Sequence, residues 1–162
     1  MTSMFFYDFP IGQIGIEEEG GSISRIIFGR DNFPGNFTAG ETPLIQKAAS
    51  QLAEYFKGTR RVFDLPLTLH GTEFQMLVWK ALQTISYGET RSYGQVAALI
   101  GRPKASRAVG MANHNNPISI IIPCHRVIGS DGGLTGYGGG LPAKRFLLEM
   151  EKQILFDKPG VP

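Results

Sequence analysis

Cys124 is the one cysteine in 162 residues, and it stands in the run Pro123-Cys124-His125-Arg126. That run sets a soft nucleophile beside an imidazole able to take its proton, with a guanidinium one residue further on. Thiolate rather than thiol is the reactive form, and cationic neighbours are expected to lower the pKa of Cys124. The competing reading is that a lone cysteine is a small buried hydrophobe. Two ionisable residues directly after the apolar run 118–122 weigh against it, because buried charge is costly unless it is paired. A metal site is not expected, since Cys124, His70, His114 and His125 show none of the paired spacings of zinc ligands. Gly136–Gly140 lacks the lysine and the preceding strand that would make it a phosphate-binding loop.

The formal net charge is only +2, but it is unevenly spread. Residues 1–88 carry seven basic and nine acidic side chains. Residues 89–126 hold Arg91, Arg102, Lys104, Arg107 and Arg126 against Glu89 alone. Such a segment is either a phosphate-contacting surface or a solvated basic face. A hydrophobic share of 42% and a charged share of 19% fit a globular protein rather than a disordered one. No apolar run approaches the roughly 20 residues that would span a bilayer, so no membrane association is expected. Residues 1–10 include Asp8 and no basic residue, and do not read as a secretion signal. A single thiol suits a reducing compartment, and a cytoplasmic location is expected.

The elements that must position Cys124 fall into two halves. Met4–Phe9, Gly12–Glu18 and Ser22–Phe28 read as short strands parted by Pro10 and by Gly20–Gly21, with a loop from Gly29 to Gly40. Thr42 and Pro43 open a helix that Gly58 stops. Val62–Leu69 is a strand or extended connector. The second half is mostly helical. Thr72 with Gln75 and Ser92 with Gln95 are capping boxes. The first opens a helix whose face is Phe74, Leu77, Val78, Ala81, Leu82 and Ile85; the second opens one burying Val96, Leu99 and Ile100. Pro103 begins a third helix running to about Ala112, so the pair forms a helix-turn-helix. Ile118–Ile122 is a buried strand-like run, and a last helix buries Ala143, Phe146, Leu147 and Met150. The fold class is α/β (α+β), with domains at 1–69 and 70–162.

Pro123-Cys124-His125-Arg126-Val127 resembles the active-site signature of the methylated-DNA–protein-cysteine methyltransferases, the O6-alkylguanine-DNA alkyltransferases. Gly71-Thr72-Glu73-Phe74-Gln75 with Val78-Trp79 is similar to the start of that family's C-terminal domain. Tyr87-Gly88-Glu89-Thr90 with Ser92-Tyr93, Arg107-Ala108-Val109-Gly110, Asn116-Pro117 and Gly136-Tyr137-x-Gly139-Gly140 continue the pattern in order. The likeness runs from about Ala48 to Glu151.

The resemblance implies a ribonuclease H-like N-terminal domain and a winged-helix-like C-terminal one. It also implies irreversible, single-turnover alkyl transfer from O6-alkylguanine in double-stranded DNA to Cys124, without a cofactor, by a monomer. Thymine O4 is a further candidate substrate. Cys124 is then the nucleophile and His125 the general base acting through a water. Glu151 orients the imidazole, Tyr93 donates toward the leaving base, and Asn116 ties the active-site turn to the helix-turn-helix. Arg107 fills the stack after the nucleotide is flipped out through the minor groove. Backbone groups of Cys124, Val127 and Gly138 read the guanine edge, and Ser92, Ala105, Ser106, Arg126 and Tyr137 join the DNA- and base-contacting set. Ser86, Ser106 and the Asn113–Asn115 segment depart from the family's usual residues, with no catalytic group lost.

Overall fold

The computed structural model describes residues 2–32 and 38–159, so Met1, the middle of the expected 29–40 loop and residues 160–162 of the expected second domain lie outside the described residues. Two compact units emerge, the first ending at Leu69 and the second spanning His70–Pro159.

The first unit is built on hairpins. Strands β1 (Thr2–Phe9), β2 (Gly12–Glu19) and β3 (Ser22–Phe28) pair antiparallel in sequence order. Gly20 and Gly21 both take positive φ, 58° and 86°. Positive φ at both central positions is what a type I′ two-residue turn needs, and its twist matches that of the flanking strands. The expected loop holds a short 3₁₀ turn at Arg30–Asn32 and a two-residue strand β4 (Thr38–Ala39), which joins β1 in parallel to give the order β3-β2-β1-β4. Helix α1 (Pro43–Lys57) is capped by the Thr42 hydroxyl, which accepts from the Ile45 N–H at 3.1 Å. It ends at Gly58 in the left-handed region, and buries Ile45, Ala48, Leu52 and Tyr55. Residues 62–69 run extended, with one bridge from Leu67 to Ile23.

The second unit is helical, with α2 (Glu73–Leu82), α3 (Tyr93–Leu99), α4 (Ser106–His114) and α5 (Leu141–Asp157). Both expected capping boxes form. A parallel pair, β5 (Arg91–Ser92) with β6 (Val127–Ile128), joins the start of α3 to the residues after Cys124. The buried side of α2 is Val78, Trp79, Ala81 and Leu82, while Leu77 is exposed. Trp79 decides that orientation, since its indole N–H donates to the Ala112 carbonyl of α4 at 2.8 Å.

Several sequence expectations are corrected here. Leu99 is 61% exposed rather than buried, and α3 packs through the expected Val96 together with Ala97. Pro103 does not open α4: it lies in a turn closed by the Ala105 N–H on the Arg102 carbonyl, and the helix starts at Ser106. A proline one residue into a turn is as natural as one in a first helical turn, which is why its presence alone misplaced the boundary. Ile118–Ile122 is buried but folds as a tight turn rather than a strand, for reasons that belong to the site. On α5, Phe146 is exposed and the buried side is Ala143, Lys144, Leu147 and Glu151.

Candidate active site

The site begins with the turn that presents Cys124. Asn116 grips residues 118–122 at both ends: its side-chain oxygen accepts from the Ile118 N–H at 3.1 Å and its amide donates to the Ile122 carbonyl at 2.8 Å. Ile120 is thereby held at φ +74°. That left-handed conformation costs a β-branched residue on the order of 1–2 kcal/mol, and it persists only where the surroundings over-determine it. Pro123 follows at φ −79° and ψ 65°, an inverse γ-turn closed by the Cys124 N–H on the Ile122 carbonyl at 2.8 Å. Cys124–Arg126 then form one 3₁₀ turn. Three successive reversals bring Cys124, His125 and Arg126 out in different directions although they are neighbours in sequence.

His125 and Arg126 converge on Glu151 of α5. The His125 ring meets the carboxylate through Nε2 at 2.6 Å from Oε2. Arg126 forks onto both oxygens, Nε to Oε1 at 2.8 Å and Nη2 to Oε2 at 3.0 Å. The Gly88 N–H adds a fourth bond to Oε1 at 3.0 Å. Gly88 is at φ +78°, and a Cβ there would fall 2.6 Å from Leu155, so this approach requires glycine. Arg126 Nη1 donates to the Ile85 carbonyl at 2.7 Å, and its guanidinium lies over the Tyr87 ring. His125 and Glu151 are fully buried and Arg126 nearly so.

These contacts set the charges. Burial alone would raise the Glu151 pKa, but the charge and hydrogen bonds of His125 and Arg126 outweigh it, and the carboxyl is held well below its usual range. Burial lowers the His125 pKa against the pull of Glu151, with Arg126 and Lys144 adding to the lowering. That lowering favours the neutral imidazole, and a proton on Nε2 is the one that can bond the ionised carboxylate. Nδ1 is left as the basic nitrogen, and it has no protein partner among the described residues. Burial also pushes the Cys124 thiol up, against opposing hydrogen bonds from Asn116 and Ser119 and the charge of Lys144. The expected net lowering by cationic neighbours is thus corrected: the charge of Lys144 does lower the thiol pKa, but desolvation outweighs it. A resting thiol needs a base to activate it.

A cleft of about 550 Å³ opens between α3, α4 and the glycine-rich loop 132–140, lined by Tyr93, Ser106, Arg107, Gly110, His114 and Thr135 among others. The Tyr93 hydroxyl lies 2.7 Å from that of Thr135. Arg107 is exposed on the rim, with Ala105 and Ser106 half-buried beside it. The Ser92 hydroxyl accepts the α3 cap bond from Gln95. Gly138 is exposed in the loop, whereas Tyr137 is buried.

Of the expected DNA-contacting groups, the Arg126 side chain is corrected by this geometry, and the backbone groups of Cys124 and Val127 are engaged within the protein. Arg126 is internal, its donors spent on Glu151 and Ile85. The Cys124 backbone is also occupied: its N–H serves the γ-turn, and its carbonyl accepts both the Asn113 amide at 3.2 Å and the Val127 N–H. Val127 is buried, with its carbonyl accepting from Lys144.

Residues 4–69 match the family described as "6-O-methylguanine DNA methyltransferase, ribonuclease-like domain", and residues 73–153 match its DNA binding domain. A Mycobacterium tuberculosis protein named methylated-DNA–protein-cysteine methyltransferase is 50% identical over 147 residues, 90% of this chain and 89% of its own length. The Haemophilus influenzae protein of the same name is 46% identical, covering 98% of this chain and 92% of its own. The chain belongs to the 6-O-methylguanine DNA methyltransferase family. Among solved structures of this methyltransferase family, the M. tuberculosis OGT in complex with DNA superposes with a TM-score of 0.87 at 48% identity, covering 94% of each chain.

Three residues within this methyltransferase's site escaped the sequence reading. Asn113 was read as part of an unusual loop, yet it lies in α4 and holds the Cys124 carbonyl. Lys144 is fully buried, and its Nζ donates to the carbonyls of Val127 at 2.7 Å and Thr135 at 2.8 Å, joining the nucleophile's turn to the glycine-rich loop. The signal for Lys144 was present, since Lys144, Leu147 and Glu151 recur at i, i+3 and i+7 on one helical face. Ser119 lies 3.8 Å from the Cys124 sulfur. Among the described residues no cluster of three or more His, Cys, Asp or Glu is arranged to hold a metal, and no helix is long and apolar enough to cross a membrane.

Proposed function

We propose that this protein repairs DNA by direct reversal, moving the alkyl group of O6-alkylguanine onto Cys124 once per molecule. The observation that carries this reading is the buried His125–Glu151–Arg126 network next to Cys124, which supplies a base and an anchored orienter beside a nucleophile. His125 Nδ1 takes the thiol proton through a bridging water, and Glu151 stabilises the imidazolium. The thiolate attacks the alkyl carbon; the S–C bond forms as the C–O6 bond breaks, and the electron pair leaves with guanine. Tyr93 donates a hydrogen bond toward the leaving ring, and the proton lost by Cys124 is returned to guanine. The balance is one thiol and one O6-alkylguanine giving one thioether and one guanine. Nothing in the site can reopen a thioether, so the amount repaired should equal the amount of protein.

We assign these steps and the DNA contact to the second unit, with the protein binding the minor groove as a monomer. Arg107 on the cleft rim enters the stack where the target nucleotide has flipped out. Flipping costs a few kcal/mol, and Arg107 offsets part of that cost. Arg107→Ala is therefore expected to slow transfer from duplex DNA about tenfold or more, and to leave transfer from free O6-benzylguanine unchanged. Equal losses on both substrates would contradict the role. The overall reading is tested by titrating the protein against a duplex with one O6-methylguanine. Repair should stop at one lesion per protein molecule, and continued turnover would refute it.

A further inference from the structure

Ser119 has a use that the transfer chemistry has so far left open. It is buried in the strained turn ahead of Cys124, beside left-handed Ile120, and the thiol donates toward its hydroxyl at 3.8 Å. The Tyr137 phenol, brought in by the glycine-rich loop, also interacts with Ser119 and Cys124. The Asn116 amide also hydrogen-bonds to the thiol and the Lys144 charge acts on it, but each has a structural duty besides. Lys144 Nζ serves two carbonyls, both ends of the Asn116 amide hold the backbone turn, and His125 Nε2 faces Glu151. A hydroxyl rotates without moving its carbon and can both accept and donate.

We propose, resting on the alkyl-transfer reading above, that Ser119 is a positioning residue for the nucleophile: its hydroxyl accepts from the resting thiol, then turns to donate to the thiolate. This bond aims the sulfur and solvates the charge that appears when the proton leaves. A thioether sulfur has no proton to give and is a weak acceptor, so the contact is lost once the alkyl group has arrived. The titratable groups that act on Cys124 are Lys144 of α5 and Tyr137 of the loop, while His125, Arg126 and Glu151 form their own network beside it. Burial is the first cause of the raised thiol pKa, and the hydrogen bonds of Asn116 and Ser119, with the charge of Lys144, oppose it.

The test is the pH dependence of Cys124 alkylation by iodoacetamide, followed by intact mass, in the parent, Ser119→Ala and Ser119→Thr proteins. Removing one hydrogen bond to a charged group should move the Ser119→Ala curve up by about one pH unit, roughly a tenfold loss near neutrality. Ser119→Thr keeps the hydroxyl and should restore the curve, and methyl transfer from DNA should shift in parallel. A Ser119→Ala curve that superimposes on the parent, or one lowered equally at every pH, would overturn the proposal. A parent that reacts with iodoacetamide but takes no methyl group from DNA would defeat the alkyl-transfer reading instead, while the alkylation curves still decide the part played by Ser119.

Discussion

Glu151→Ala is expected to lower the unfolding free energy by about 3–5 kcal/mol, the range for breaking a buried ion pair from one side, and to slow alkyl transfer about a hundredfold or more. The stability loss arises because Arg126 stays buried with two of its donors unmatched, and the Gly88 N–H loses its acceptor. The rate loss arises because the imidazole loses both its orientation and the charge that stabilises its protonated form. Glu151→Gln keeps the shape while removing the charge, so it should lie between the parent and the alanine variant in stability. Denaturant unfolding and single-turnover kinetics check the two effects separately.

The same carboxylate fixes the response to acid. Its folded pKa lies below the unfolded one, so its stabilisation is present above the ordinary carboxylate range and is lost as pH falls through the folded value. His125 acts in the same direction. Its folded pKa is lowered, so the unfolded chain binds the proton more readily, and stability falls as pH drops below the unfolded value of about 6.5. Unfolding free energy should therefore decline from about pH 6.5 downward in the parent, and more shallowly at low pH in Glu151→Gln. Parallel curves for the two proteins would show that the carboxylate is not linked to folding in this way.

Cys124→Ala should abolish transfer outright while the protein still binds duplex DNA carrying O6-methylguanine. The cleft, Arg107 and Tyr93 lie on other elements and do not depend on the sulfur. Cys124→Ser should also fail, because a hydroxyl in the same buried setting is harder to ionise and a poorer nucleophile toward saturated carbon. Retained binding with no transfer, measured on the same oligonucleotide by gel shift and by chromatography of the digested DNA, separates recognition from chemistry. Residual transfer by Cys124→Ala would mean that another nucleophile acts.

The architecture was legible wherever local chemistry dictates it. Gly20–Gly21 set a hairpin, and the side chains of Thr42, Thr72 and Ser92 capped the helices that they were expected to cap. The chain from Cys124 to Glu151 was legible only through resemblance, since 25 residues of intervening sequence carry no spacing rule that joins His125 to a carboxylate. Two misreadings share one cause. Residues 118–122 look like a strand because isoleucine favours extended structure, but Asn116 takes up the backbone groups a strand would have offered. Arg126 was placed in an outward-facing basic segment, and Lys144 was passed over, because buried cations are rare; here one carboxylate and several carbonyls partner them, and no local pattern announces a partner distant in sequence. The thiol pKa was misjudged because burial of the sulfur, which outweighs the cationic charge nearby, has no local signature in the sequence.

The most direct measurement is the intact mass of the protein after incubation with duplex DNA containing O6-methylguanine, followed by peptide mapping. The expected result is the gain of a single methyl group, located on Cys124 and matched by the loss of one lesion. An unmodified Cys124 alongside repaired DNA, or a methyl group on any other residue, would contradict alkyl transfer to this cysteine.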